Sequence, residues 1–153
     1  MRIGTVKSDL VFDSCVLAKL VLFEPDSHFA ESLSQSALDQ GLTVRVLDLA
    51  LIEVGNVIWK TWRRKLIETI EAEEAFENLM FASQVRPEPA LPFLPRGQSL
   101  AMKYHIAVYD ALFVAAVEHW DCRGVTSDAA LVRKVQFDFP QIELLNSSAL
   151  PDA

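Results

Sequence analysis

Two cysteines, five glycines and a shortage of positive charge set the first limits on this 153-residue chain. Cys15 and Cys122 are too few for a disulfide framework, and neither belongs to a CxxC or Cys/His cluster of the zinc-binding kind. Cys15 is expected just after the carboxyl end of one strand and Cys122 at the amino end of another. Parallel neighbours of that length hold such ends roughly 17 Å apart, against a limit of about 7 Å for a disulfide. Two buried free thiols are therefore expected. The longest unbroken apolar run, residues 111–117, is far short of the roughly 20 residues that span a bilayer. Residues 1–8 are interrupted by Arg2, Gly4, Lys7 and Ser8, so they lack the apolar centre of a secretory signal. A cytoplasmic protein without membrane association is expected. Lys and Arg number 14 against 21 Asp and Glu, for a net charge of -7 and a pI near 4.9. That balance excludes the broad basic surface of a general nucleic-acid binder.

What the chain has is hydrophobic content of 51% with 23% charged residues, enough for one core. A single domain over residues 1–153 is expected, with flexible ends at 1–8 and 146–153. Residues 10–12 read as a short buried strand, and Asp13 and Ser14 are placed to cap a helix through Val16, Leu17, Leu20 and Val21. A second helix ends near Gln40, where Gly41 stops it. Residues 43–47 form a strand rich in β-branched side chains, and Asp48 is placed to cap a long helix to about Lys65. A further amphipathic helix runs from Glu68 to about Gln84. Four of the seven prolines fall in residues 87–95. Any strand there must be short and at a sheet edge, because proline cannot donate to a ladder. Helices over 97–106 and 108–120, a strand at 124–126, a helix from Ser127-Asp128 to about Val135 and a strand at 142–145 complete the order. Short apolar strands alternating with helices imply a three-layer α/β/α sandwich around a mostly parallel sheet of about five strands.

Against this background four carboxylates stand out. Asp13, Glu53, Asp110 and Asp128 each interrupt an apolar segment, where an ionised carboxylate loses hydration unless a cation or a set of donors compensates it. The three aspartates also have a purely structural reading, since each lies at or near a helix start and a cap contributes about 1 kcal/mol. Glu53 lies mid-helix and escapes that reading. On a helical wheel Leu51, Val54, Gly55, Ile58 and Trp62 make one stripe, and Glu53, Asn56 and Lys60 lie on another face. Leu49, Ile52 and Val57 flank that polar face, so the helix is expected to be covered on more than one side, with Glu53 lining a cleft. A shared divalent metal site explains all four acids at once, because Mg²⁺ and Mn²⁺ prefer oxygen ligands. His28, His105 and His119 are scattered, and Phe76, Phe81, Tyr109, Phe113 and Trp120 are assigned to the core.

The ordered set of stretches, Leu10-Val11-Phe12-Asp13-Ser14-Cys15, Leu51-Ile52-Glu53-Val54-Gly55-Asn56, Val108-Tyr109-Asp110-Ala111-Leu112 and Val125-Thr126-Ser127-Asp128, resembles the toxin-type (VapC-like) ribonucleases of the PIN-domain family. The resemblance extends from Leu10 to Leu145. It implies that Asp13, Glu53, Asp110 and Asp128 hold Mg²⁺ or Mn²⁺ and carry catalysis, with Ser14, Thr126 and Asn56 in support. It implies hydrolysis of RNA to a 5′-phosphate and a 3′-hydroxyl, a cognate antitoxin protein as partner and a homodimer, the helix from Leu49 to Trp62 offering one interface. Lys19, Lys60, Arg63, Arg64 and Lys103 are candidate contacts to RNA phosphates. Gly55 departs from the expected helix former. Two alternatives stay open at this point. A haloacid-dehalogenase-like phosphatase also begins with a strand ending in Asp, but needs a second Asp two positions on, where Cys15 stands. A catalytically inactive protein- or RNA-binding module is the other, and the presence of all four acids argues against it.

Overall fold

The computed structural model describes residues 8–147, so the expectation of flexible ends falls almost entirely outside the described residues. The elements run β1 (Leu10–Phe12), α1 (Ser14–Val21), α2 (Ser27–Asp39), β2 (Val44–Leu47), α3 (Asp48–Arg63), α4 (Thr69–Met80), β3 (Arg86–Glu88), α5 (Leu94–Tyr104), α6 (Val108–Trp120), β4 (Arg123–Thr126), α7 (Ala129–Val135) and β5 (Ile142–Leu144). The five strands form one sheet in the order β3-β2-β1-β4-β5, and every neighbouring pair is parallel. The proline-bearing strand β3 lies at the edge, where the missing N–H of Pro87 costs the ladder least.

Alternation along the strands divides the core in two. Leu10 and Phe12 of β1, with Val44 and Val46 of β2, face α1 to α4, whereas Val11 faces the layer of α5 to α7. Helix α6 buries every residue from Ala111 to Val117, which explains why its sequence is apolar without a clear polar face. Gly124 of β4 lies directly beneath it. A Cβ there would stand 2.5 Å from Val117 Cγ2 and 3.0 Å from Phe113 Cζ, both in fully packed side chains. Gly124→Ala is expected to lower stability by about 2 kcal/mol through overpacking. A thermal melt indistinguishable from the wild type would show that α6 can retreat at no cost.

Three expectations need correction. Asp48 does not cap α3; it occupies the first turn, and its Oδ1 accepts the Ala90 N–H at 3.0 Å, tying α3 to the segment after β3. Helix α3 is covered less fully than expected: α1, α4 and β2 flank it and Ala50, Val54 and Ile58 are buried, but one face stays open, with Ile52 70% exposed and Trp59 and Trp62 also exposed. The aromatic residues divide as well. Phe113 is core, whereas Phe76, Phe81 and Tyr109 are exposed, because α4 and the start of α6 turn those positions outward. The polar neighbour of α6 is Arg45 on β2. It bonds Glu88, reaches Asp9 Oδ2 at 3.2 Å and lies over the Trp120 ring at 5.0 Å, which offsets part of the cost of its burial, its Nε having no hydrogen-bond partner among the described residues. The thiols are unpaired as expected, with Cys122 buried and Cys15 partly so. Among the described residues no single helix is long and apolar enough to cross a membrane.

Candidate active site

The strand order places a reversal of winding between β1 and β4: the chain proceeds from β1 outward through β2 to β3, then returns to add β4 and β5 on the other side. Loops at the carboxyl ends of the two central strands part there and leave a crevice. Asp13 follows directly on β1, and Thr126, Ser127 and Asp128 leave β4 beside it, joined by a hydrogen bond from the Asp13 N–H to the Val125 carbonyl at 3.0 Å.

Each acid is delivered by a different element. Asp13 caps α1, its Oδ1 accepting the Ser14 N–H at 2.8 Å, while Oδ2 accepts the Thr126 hydroxyl at 2.8 Å. Asp128 caps α7 by accepting the Leu131 N–H at 3.0 Å, and Asp110 sits in the first turn of α6. The capping reading of Asp13 and Asp128 is thus correct, but a cap engages one oxygen and does not exhaust the carboxylate. Glu53 decides the matter. In the second turn of α3, it turns toward the aspartates and its Oε2 accepts the Ser14 hydroxyl at 3.1 Å. Asp13, Ser14 and Glu53 then line a narrow cleft closed by Leu49, Tyr109 and Phe113.

The electrostatics report the same convergence. Burial pushes the Asp13 carboxyl up, opposed by hydrogen bonds from Thr126, Ser14 and Cys15, and Asp128 adds repulsion. Burial also raises Glu53, the Ser14 hydrogen bond opposes the shift, and Asp13 and Asp110 reinforce it. Asp110 is pushed up to about 6 by burial, then by Asp13 and Asp128, with the Lys134 ammonium offsetting part of the shift. Asp13 and Asp110 are therefore each within electrostatic reach of the other three acids and link Glu53 to Asp128. Oxygen donors from four carboxylates, of which Asp13, Glu53 and Asp110 are held above their ordinary range, fit a hard divalent cation, which would relieve both burial and repulsion. Among the described residues no three His, Cys, Asp or Glu side chains make a ready-made cage.

The supporting residues divide. Ser14 bonds Glu53 and Thr126 bonds Asp13, as expected for small hydroxyls beside the acids. Asn56 is exposed, so the task of steadying Glu53 falls to Ser14, across the cleft, instead of to a neighbour on the same helix. The candidate RNA contacts do not gather in the cleft. Lys19 pairs with Glu24 at 2.7 Å, and Lys103 with Asp138 at 3.1 Å. Lys60, Arg63 and Arg64 lie roughly 10–16 Å along the α3 axis from Glu53, and Arg63 stacks on Trp59 at 4.5 Å. Sequence reasoning missed Lys134, six residues beyond Asp128 on α7, whose Nζ bonds the His105 carbonyl at 3.0 Å at the rim of the site. It also missed Cys15, whose sulphur lies against Asp13 and Thr126.

No protein-family model matches the sequence. Ribonuclease VapC3 of Pyrobaculum aerophilum is 34% identical over 126 residues, covering 82% of this chain and 93% of that protein. The chain belongs to the VapC family of PIN-domain ribonucleases. Solved structures agree at the level of fold. PAE2754 from Pyrobaculum aerophilum superposes with a TM-score of 0.70 at 18% identity, covering 93% of this chain and 94% of that one. A toxin-antitoxin complex from Klebsiella pneumoniae gives 0.60 at 13% identity, covering 90% and 98% of the respective chains. FitAcB from Neisseria gonorrhoeae gives 0.56 at 16% identity, covering 83% and 93%. With VapC-family membership, the phosphatase reading loses its footing, and Cys15 marks the place where its second aspartate is missing.

Proposed function

We propose that this VapC-family protein is a Mg²⁺- or Mn²⁺-dependent endoribonuclease and the toxin half of a toxin–antitoxin pair, acting in the cytoplasm as a single catalytic domain. The observation that carries this reading is the turn of Glu53 into the cluster of aspartates through Ser14 Oγ. Asp13, Glu53, Asp110 and Asp128 would hold the cation. When bound, it supplies Lewis-acid polarisation of a phosphodiester and a lowered pKa for water. Asp13 is the fixed member, since both its oxygens accept hydrogen bonds. Glu53 and Asp110, partly exposed, keep negative charge at the mouth of the cleft, where they can orient water in line with the scissile bond. Lys134, close to Asp110, puts a positive charge at the rim that favours a phosphate. The expected products carry a 5′-phosphate and a 3′-hydroxyl.

The exposed face of α3, with Ile52, Trp59 and Trp62, supports association with a second copy, and a cognate antitoxin protein would cover the cleft. The test is cleavage of single-stranded RNA by the full chain with Mg²⁺, with Mn²⁺ and with EDTA, using p-nitrophenyl phosphate as a control substrate. Cleavage with either cation, none in EDTA and recovery on adding Mn²⁺ are expected. RNA cleavage untouched by EDTA, or phosphomonoester hydrolysis with intact RNA, would refute the reading.

A further inference from the structure

Two backbone N–H groups leave β4 at Ser127 and Asp128, and side chains that also touch Asp13 receive both of them. The Asp128 N–H donates to Thr126 Oγ1 at 3.1 Å, and the Thr126 hydroxyl donates to Asp13 Oδ2 at 2.8 Å. The Ser127 N–H donates to Cys15 Sγ at 3.2 Å, and that sulphur donates to the same Asp13 oxygen at 3.6 Å, with Thr126 Oγ1 at 3.4 Å from it. The hydroxyl and the thiol therefore have the same arrangement: each accepts an N–H of the turn and has Asp13 Oδ2 on its other side.

We propose that Cys15 is a positioning residue of the active site, its thiol coupling the turn that carries Asp128 to the carboxylate of Asp13. This rests on the reading of the four acids as the nuclease site. Ser14, one residue earlier, orients Glu53, so consecutive side chains of the first turn of α1 align acids on opposite sides of the cleft. Without the thiol, the Ser127 N–H loses its acceptor and Asp13 Oδ2 loses one of two donors. The turn is then tied to the Asp13 carboxylate by Thr126 alone, and the separation of that carboxylate from Asp128 is no longer defined at two points. Loss of such a supporting contact typically weakens metal affinity or activity by about 10–100-fold.

The experiment compares the full chain with Cys15→Ala, Cys15→Val and Cys15→Ser, measuring Mn²⁺ affinity by electron paramagnetic resonance titration and kcat and KM on single-stranded RNA. Cys15→Val fills the space of the thiol with one extra methyl group and loses both hydrogen bonds; Cys15→Ser keeps a donor and an acceptor on a shorter bond. Expected are Mn²⁺ binding weakened by about tenfold and kcat lowered by about 10–100-fold in the Ala and Val variants, with KM within about twofold. Cys15→Ser recovers most of both. A merely structural cysteine would lower the melting temperature of the variants and leave the Mn²⁺ affinity of the folded fraction unmoved. Wild-type Mn²⁺ affinity and kcat in Cys15→Val overturn the proposal, even if Cys15→Ala fails to fold. A wild type that binds Mn²⁺ and leaves RNA intact overturns the nuclease reading, and the Mn²⁺ affinities alone then decide for or against the positioning role. If the wild type binds no Mn²⁺, both fall.

Discussion

Asp13→Asn is expected to lower RNA cleavage on the order of 10³-fold and to leave the fold intact. The substitution keeps the shape of the side chain and an oxygen to accept the Ser14 N–H, so the cap on α1 survives. What disappears is the charge. Loss of a full ligand charge forfeits several kcal/mol of transition-state stabilisation, and each 1.36 kcal/mol is about tenfold in rate. The second oxygen also becomes an amide nitrogen facing the Thr126 hydroxyl and the Cys15 thiol, both of which donate in the wild type, so the Asp13–Thr126–Asp128 alignment is disturbed as well. Glu53→Gln, at the more open side of the cleft with Ser14 as its bonded partner, is expected to be milder, about 10–100-fold. Single-turnover cleavage measured for all three proteins, with thermal melts as the control for folding, makes the comparison. Equal cleavage by wild type and Asp13→Asn would mean that the activity belongs to a contaminant.

The metal-free protein is expected to become less stable as pH rises, and Asp110→Asn to remove part of that loss. Asp110 titrates near 6 in the folded chain against an ordinary value of 3.8, raised by burial and by Asp13 and Asp128. Between these values the folded state holds a proton that the unfolded chain has released, so stability falls as pH climbs through that window. Below about 4 both states are protonated and the penalty vanishes; above about 6 it is fully present. The upward shifts of Asp13 and Glu53 act in the same direction. This is the reverse of a salt-bridged carboxylate, which stabilises as it ionises. Asp110 is only half-buried, so solvent screening reduces its share to about 1 kcal/mol, or some 2–4 °C in melting temperature for a domain of this size. Asp110→Asn in EDTA at pH 8 should therefore melt higher than the wild type while losing activity. Mg²⁺ should raise the wild-type melting temperature at pH 8 and scarcely alter it at pH 4, where protonated acids cannot bind it. A wild-type melt in EDTA that is flat from pH 4 to 8 would mean that neither burial nor mutual repulsion holds these acids up.

Local signals made much of this molecule legible in advance. The acid after Phe12, the break at Gly41, the prolines around β3 and the unbroken apolar run of α6 each act within a few residues, and the structure places the corresponding elements within a few residues of their expected bounds. The expected fold, with five strands in one parallel sheet between two helical layers, follows from that alternation. Errors arose where a local rule had a distant competitor. Asp48 has the composition of a cap, but the Ala90 N–H, 42 positions away and just beyond the neighbouring strand β3, claims its carboxylate. Phe76 and Phe81 look like core by residue type, yet the register of α4 turns them outward.

By itself the chain determined its elements, its fold class and the four acids, because periodicity, proline, glycine and capping act through the backbone at short range. Only the tertiary structure decided the strand order, and with it the crevice between β1 and β4 that collects those acids. It alone paired Ser14 with Glu53, 39 positions away, and Cys15 with the Ser127 N–H, 112 positions away. Such partners are chosen by how the two cores pack against the sheet, and no pattern within one segment records which distant side chain will arrive beside it.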